Sequence, residues 1–423
     1  MRLYNSLTQS VEEFTPQADA VKIYVCGITP YDTTHLGHAA TYCAFDVLIR
    51  YLEYQGRRVV YVQNVTDIDD DTIREAKKRG TTWDALGNQW TAHFINDLTA
   101  LNVRPPDYYP RATETIPEII NAVQTLVANG CAYERNGNVY FHIDAYPAFG
   151  QLSHIPTKQE MLKVANERGN FPDDPNKQDP LDFILWQAQQ PEEPAWESPW
   201  GKGRPGWHIE CSAMVMKLLG PTIDIHGGGA DLIFPHHECE IAQAVNVTGD
   251  KIFSRFWMHA AMVRYQGEKM SKSLGNLVMV RDLLKEFPAN ALRLYLARHH
   301  YREAWEFTDE EFRALVARCQ QLNRAARIPS GSRRKFSADD SRNRFTRSLD
   351  NDLDTPSAVE ALCELASELL RGAEEGYDIR EGQRTLRELA SILGLRLDSA
   401  EPEDRVKRGW GEHLKRFEVA QMG

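Results

Sequence analysis

Apolar residues recur in two rhythms along the first 300 positions and in a single rhythm afterwards. Val21-Lys22-Ile23-Tyr24-Val25 and Val59-Val60-Tyr61-Val62 are short runs rich in β-branched and aromatic residues. Such runs read as buried strands of a parallel sheet. Between them, residues 39–54 carry apolar side chains at helical spacing, so the three segments predict a βαβ unit. The strand rhythm returns at 221–226, stops at Gly227-Gly228-Gly229, and continues through 255–259. Residues 82–130 read as mostly helical, broken at Pro105-Pro106.

Two stretches depart from this alternation. Residues 1–20 form a short lead-in. From Asn129 to about Gly203 a brief hairpin around Tyr133 and Val139–His142 precedes a segment rich in Pro, Asp and Trp. That segment is expected to be an insertion into the sheet fold without a core of its own. Beyond about Glu306 apolar residues fall at helical spacing in 312–322, 358–370 and 386–393, with no strand-like run. The predicted class is therefore α/β, a Rossmann-type parallel sheet with an inserted segment, followed by an all-α helical bundle. The expected division is 1–128 and 204–305 for the two halves of the sheet domain, 129–203 for the insertion, and 306–423 for the helical domain.

Composition narrows the partners. Charged residues at 26 % and hydrophobic ones at 42 % are ordinary for a globular chain. A formal charge of −11 argues against a protein that coats nucleic acid, though a local basic face remains open. No apolar run approaches the roughly 20 residues that cross a bilayer, and residues 1–5 lack a signal-peptide core, so a cytoplasmic location without membrane contact is expected. Seven scattered cysteines fit reduced thiols or metal ligands better than a disulfide framework.

The chemistry gathers where the first strand ends. Cys26 closes it, and His35-Leu36-Gly37-His38 opens the next helix, the place where a parallel-sheet fold meets phosphate. A second glycine-flanked segment, Gly267 to Gly275, carries Lys269 and Lys272, which suit charge developing on a phosphate. His236 and Glu240 are four apart and share a helix face, and with Cys26 and Cys211 they offer a zinc-type donor set. Cys26 and Cys211 read equally well as buried apolar cysteines. Cys43, Cys131, Cys239, Cys319 and Cys363 are expected to fill space.

The HLGH and KMSKS pair resembles the signature of class I aminoacyl-tRNA synthetases. The stretches Trp207-His208-Ile209-Glu210-Cys211 and Gly227 to Glu238, with the donor set, resemble the cysteinyl-tRNA synthetase family across roughly residues 1–305. The resemblance implies ATP-dependent activation of L-cysteine to cysteinyl-adenylate. His35, His38, Lys269 and Lys272 would stabilise the reacting phosphate, and Gly37, Gly228, Gly229, Asp231 and Lys272 would hold ATP. Thr66 and Trp207 would line the amino-acid pocket. One zinc ion on Cys26, Cys211, His236 and Glu240 would select the thiol, and Mg2+ would accompany ATP.

The core also resembles the mycothiol-pathway cysteine ligase, which uses the amine of a glucosaminyl-inositol. Residues 27–32 and 34–42 lean toward that relative, as does the short span after Leu395, from which a full anticodon-reading module is expected to be absent. Glu240 and residues 268–276 lean toward the synthetase. Arginines and lysines at 313–347, and the basic and aromatic mix at 405–416, are consistent with an RNA surface or with solvated helix faces. The expected acceptor is tRNA(Cys), with the amino-sugar amine as the alternative. A non-catalytic paralogue that binds RNA or a carrier fits less well with intact His35, His38, Lys269 and Lys272.

Overall fold

In the computed structural model, β1 (Ala20–Ile28) lies between two parallel neighbours, β2 (Arg58–Val65) and β3 (Ile223–Gly229), and β4 (Ser254–Ala260) completes the order β4-β3-β1-β2. Residues 1–270, 275–399 and 401–418 are described, with Lys269 and Glu418 described by their backbone alone. The Ser271, Lys272 and Ser273 positions of the sequence reading lie outside the described residues. Every strand is buried on both faces over its middle, which is why its sequence is an apolar run rather than an alternation. The chain leaves β1 through α1 (Leu36–Tyr54) toward β2, and returns on the opposite side of β1 as β3. The strand order reverses there, so the C-terminal ends of β1 and β3 diverge around a crevice. Cys26 stands at one lip and Gly227-Gly228-Gly229 at the other.

The lead-in is a hairpin, Arg2–Asn5 paired with Ser10–Glu13. It seals onto β4: the Asn5 Oδ1 accepts from the Trp257 amide at 3.1 Å. At the other edge, residues beyond Pro106 extend the sheet, with the Gln63 amide donating to the Tyr108 carbonyl at 3.2 Å and the Val65 amide to the Pro110 carbonyl at 2.9 Å.

The insertion is more regular than its Pro-, Asp- and Trp-rich sequence suggests, and its apolar side chains join a cluster shared with the sheet domain. Ala132–Arg135, Asn138–Phe141, Phe183–Ala188 and Gly203–Pro205 form an antiparallel four-stranded sheet. Phe141, Leu185, Trp186 and Val139 pack with Ile119 and Val123 of the preceding helix, and with Ile209, Phe234 and Ala242 of the sheet domain. The later strands are far from the hairpin in sequence and carry Pro and Asp between them, so their pairing left no local signal.

The C-terminal region is all helical after the short strand Trp305–Glu306, as Asp309–Arg327, Asp339–Asp350, Thr355–Glu374, Arg380–Ile392 and Asp404–Glu418. It is not separated from the sheet domain: Phe45, Leu48 and Leu52 of α1 share one apolar cluster with Phe312, Leu365 and Leu389. The junction is ionic at its centre. Asp46, with no side-chain exposure, meets Arg50 at 3.0 Å and Arg293 at 2.7 Å. Arg50 also reaches Glu403 at 2.8 Å, and Arg293 donates to the Leu393 carbonyl at 2.6 Å. Gly394 has φ of 73°, and a Cβ there would fall 2.0 Å from the Arg293 guanidinium, so only glycine fits this corner.

The basic stretch is less available than its sequence implies. Arg313, Arg318, Arg342 and Arg344 are paired with Asp309, Glu360, Glu388 and Glu364, and Arg327 caps the Leu397 carbonyl. In the tail, Trp410 is 1 % exposed, its Nε1 donating to the Val103 carbonyl at 2.8 Å. The last helix therefore lies on the sheet domain, with Trp410 inward rather than offered for stacking.

Asp46→Ala leaves the buried Arg293 guanidinium beside no carboxylate and Arg50 with Glu403 alone, and is expected to cost about 3–5 kcal/mol in urea unfolding. For Glu403 burial opposes ionisation, yet Arg50 and its hydrogen bonds draw it from 4.5 down to about 2. Its contribution is thus complete above pH 4.5 and lost as pH falls toward 2. Glu403→Gln is expected to flatten the melting-temperature profile in that window. An unchanged slope would contradict it.

Candidate active site and metal centre

Four donors from three segments meet at the base of the crevice. Cys26 arrives on β1, Cys211 on α2 (Trp207–Leu218), and His236 and Glu240 at the start of α3 (Glu238–Thr248). All four are buried, and one ligand atom from each lies within 4.8 Å of the others. Cys26 Sγ is 3.8 Å from Cys211 Sγ and 3.6 Å from Glu240 Oε1, and His236 Nε2 is 3.1 Å from the same Oε1. Two thiols, an imidazole and a carboxylate at this spacing suit a divalent, borderline-soft ion in a tetrahedral site. The donor chemistry fits the group that the sequence reading expected.

The electrostatics point the same way. Burial pushes the Cys26 thiol up, and its hydrogen bond with Cys211 adds to this. For Cys211 burial also opposes ionisation, but the bond from Cys26 and the His236 charge bring it down to about 6. His236 resists burial and rises to about 10 because Glu240 and the Cys211 thiolate face it. Glu240 falls to about 2, against burial, through His226 and His236. A buried thiolate and carboxylate held by one imidazolium is a charge arrangement that a dication would replace.

Three further histidines shape this base, and the sequence reading did not single them out. His226 of β3 donates through Nε2 to Glu240 Oε2 at 2.9 Å, leaving Oε1 toward the donor set. His237 Nε2 lies 3.3 Å from Cys26 Sγ, and its Nδ1 is 2.8 Å from His259 Nε2. Burial keeps His237 and His259 neutral, the latter down to about 3. Their signal was present: His226 precedes the triple glycine, and His237 adjoins His236. The contacts themselves exist only because β3, β4 and α3 converge.

Trp207 stacks on the His236 ring with centroids 4.3 Å apart, so it borders the donor set. Thr66, 3 % exposed, follows β2; its amide donates to the Ile28 carbonyl at 3.0 Å and its hydroxyl accepts from Asn64 at 3.2 Å. Thr66 thus stands just past β2 and Trp207 at the start of α2.

The HLGH residues form the start of α1. His35 is the N-cap, its Nδ1 accepting from the His38 amide at 3.3 Å, while His38 Nδ1 accepts from the His35 amide at 3.4 Å. The two rings stack with centroids 3.7 Å apart. Burial, then the His35 charge, holds His38 well below the usual imidazole range. A Cβ on Gly37 would sit 3.0 Å from the His35 ring, so glycine allows the stack to close. Gly228 and Gly229 end β3 opposite, and Asp231 is placed by Arg168 of the insertion at 3.7 Å. Lys269 lies in the short strand Glu268–Lys269, paired with Val263–Tyr265.

Comparison with known proteins places this architecture. The model for the "tRNA synthetases class I (C) catalytic domain" matches residues 13–317, and that for the "DALR domain" matches residues 344–398. A cysteine–tRNA ligase of Dehalococcoides mccartyi is 45 % identical over 406 residues, spanning 95 % of this chain and 88 % of its own length. An L-cysteine:1D-myo-inositol 2-amino-2-deoxy-alpha-D-glucopyranoside ligase of Thermomonospora curvata is 45 % identical over 376 residues, spanning 89 % of each. Among solved structures, Mycobacterium tuberculosis methionyl-tRNA synthetase with methionyl-adenylate aligns with a TM-score of 0.61 at 16 % identity, over 95 % of this chain and 93 % of its own, a likeness of fold.

His226→Gln keeps all four donors but loosens the Glu240 carboxylate. Titration with zinc is expected to give an affinity about 10–100-fold weaker than the parent at the same stoichiometry. Equal affinities would make His226 a bystander.

Proposed function

The chain belongs to the class I (C) tRNA synthetase family, and on that premise we propose that it activates L-cysteine with ATP and transfers it to tRNA(Cys). The observation that carries this reading is the pairing at one crevice of the Cys26, Cys211, His236 and Glu240 cluster with the stacked His35 and His38. Only eight residues lie between Cys26 and His35, so the end of one strand and the next helix serve both halves of the reaction.

In this reading the cysteine carboxylate attacks the α-phosphate of ATP, forming cysteinyl-adenylate and releasing pyrophosphate. His35 and His38 meet the phosphate at the α1 N-terminus, where amide dipoles also favour negative charge. Lys269 and Lys272 add positive charge as the transition state develops, and Mg2+ accompanies the triphosphate. Gly37, Gly228 and Gly229 admit the nucleotide against backbone, and Asp231 orients it. Thr66 and Trp207 frame the amino acid. No enzyme nucleophile is required; position and electrostatics do the work.

Zinc held by Cys26, Cys211, His236 and Glu240 would supply a borderline-soft acid that prefers a thiolate over a hydroxyl. Trp207 and the buried histidines keep that base dry and its donors oriented. We assign the catalytic halves to 1–128 and 204–305, the insertion to 129–203, and the C-terminal helical domain to 306–423. The seven unpaired cysteines accord with a reducing cytoplasm.

A second acceptor is favoured by one observation, the 45 % identity to the Thermomonospora curvata ligase. Against it, Glu240 sits in the donor set, and the cysteine–tRNA ligase of Dehalococcoides mccartyi spans 95 % of this chain. Cysteine-dependent ATP–pyrophosphate exchange tests the first step. Exchange is expected with cysteine, and serine is expected to fall behind by more than the roughly 10²-fold that an apolar pocket gives. With labelled cysteine, an alkali-labile ester on tRNA supports the tRNA reading. An acid-stable amide on glucosaminyl-inositol, with tRNA uncharged, would replace it.

A further inference from the structure

The segment that follows the Lys269–Lys272 region is hydrogen-bonded into the entrance of α1. The Leu36 amide donates to the Val278 carbonyl at 2.8 Å, and the Val280 amide to the Thr34 carbonyl at 3.0 Å. These close an antiparallel bridge between His35 and Met279. Two pieces of chain more than 240 residues apart therefore form one miniature ladder, and His35 is its central residue.

Arg281 locks that ladder from outside. Its guanidinium donates to the Thr33 carbonyl and lies over the Trp90 ring, 5.0 Å from the centroid. The Trp90 carbonyl in turn accepts from the Thr33 hydroxyl at 3.0 Å. Arg79 approaches the same ring at 5.6 Å and pairs with Asp32 at 2.8 Å. Thr33 and Thr34 have no exposure, so the backbone leading into His35 is held on every side. A guanidinium is attracted to the indole face, and the carbonyl bond adds a fixed direction that an ammonium could not reproduce alongside the stack.

His35 needs such support. It is the N-cap, with an extended backbone at φ −88° and ψ 169°, and its ring sets that of His38 through reciprocal hydrogen bonds and stacking. A shift of Thr33 or Thr34 would move both imidazoles together. We propose that Arg281, seated on Trp90, is a positioning residue for adenylate formation that holds His35 and His38 in register with the reacting phosphate. This rests on the reading that the two imidazoles meet ATP, and it assigns Arg281 no contact with substrate.

The test compares Arg281→Met, Arg281→Lys, Trp90→Leu and the Arg281→Met/Trp90→Leu double variant by cysteine-dependent ATP–pyrophosphate exchange, zinc content and thermal melting. Arg281→Met is expected to lower kcat about 10–100-fold, the cost of misplacing reacting groups by a fraction of an ångström. The KM values for cysteine and ATP, and the bound zinc, stay at parent levels. Arg281→Lys recovers part of kcat. Trp90→Leu lowers it in the same direction, and the double variant is no slower than Arg281→Met because both act through one contact. Full kcat in a folded Arg281→Met, a raised ATP KM at full kcat, or strictly additive losses would each overturn the proposal. His38→Asn is the control on the underlying reading: if it retains full exchange, the assignment of the imidazoles fails, whatever Arg281 does. Should Arg281→Met not fold, Arg281→Lys and Trp90→Leu carry the same comparison.

Discussion

Two thiols, an imidazole and a carboxylate buried within 4.8 Å of one another form the constraint on which the rest of this molecule turns. Burying that much latent charge is costly unless a counter-charge meets it. The surrounding architecture reads as the means of bringing it about. β1 delivers Cys26, α2 delivers Cys211, and α3 delivers His236 and Glu240, while β3 and β4 bring His226 and His259 to brace them. The crevice exists because strand order reverses between β1 and β3.

From the same base the chain runs directly into the HLGH segment. Cys26, then His35 and His38, lie on one continuous strand-turn-helix, so in the proposed function thiol selection and phosphate chemistry share a single piece of backbone. The helical region is tied to the back of α1 through Asp46, Arg50 and Arg293. The Val278–Val280 ladder fastens its front. α1 is thereby held at its start and along its body, and the imidazoles sit at the fastened start.

Much of this was legible in the residues themselves. The strand runs at 21–25 and 59–62, the helix after the HLGH, and the i, i+4 relation of His236 and Glu240 are local patterns, and local patterns survive in sequence. What stayed hidden was made by distant chain meeting distant chain. Phe183–Ala188 pairs with Asn138–Phe141 across some forty residues, so the later strands of the insertion left no local signal. His226 and His237 gained their roles only when β3 and α3 converged on Glu240 and Cys26. Trp410 sits among charges that suggested exposure, yet its own ring is turned into the sheet domain. The basic stretch from Arg313 to Arg347 left an RNA surface open beside solvated helix faces because the carboxylates that pair with Arg318, Arg342 and Arg344, namely Glu360, Glu388 and Glu364, lie on other helices.

The central claim is that the buried donor set holds a zinc ion that binds the substrate thiol itself. X-ray absorption at the zinc edge of the loaded protein reads this without relying on turnover. Cys26 and Cys211 supply two sulfur donors before substrate is added. Addition of cysteine is predicted to raise the sulfur count by one, and addition of serine to leave it unchanged. A sulfur shell that does not change with cysteine would contradict the account.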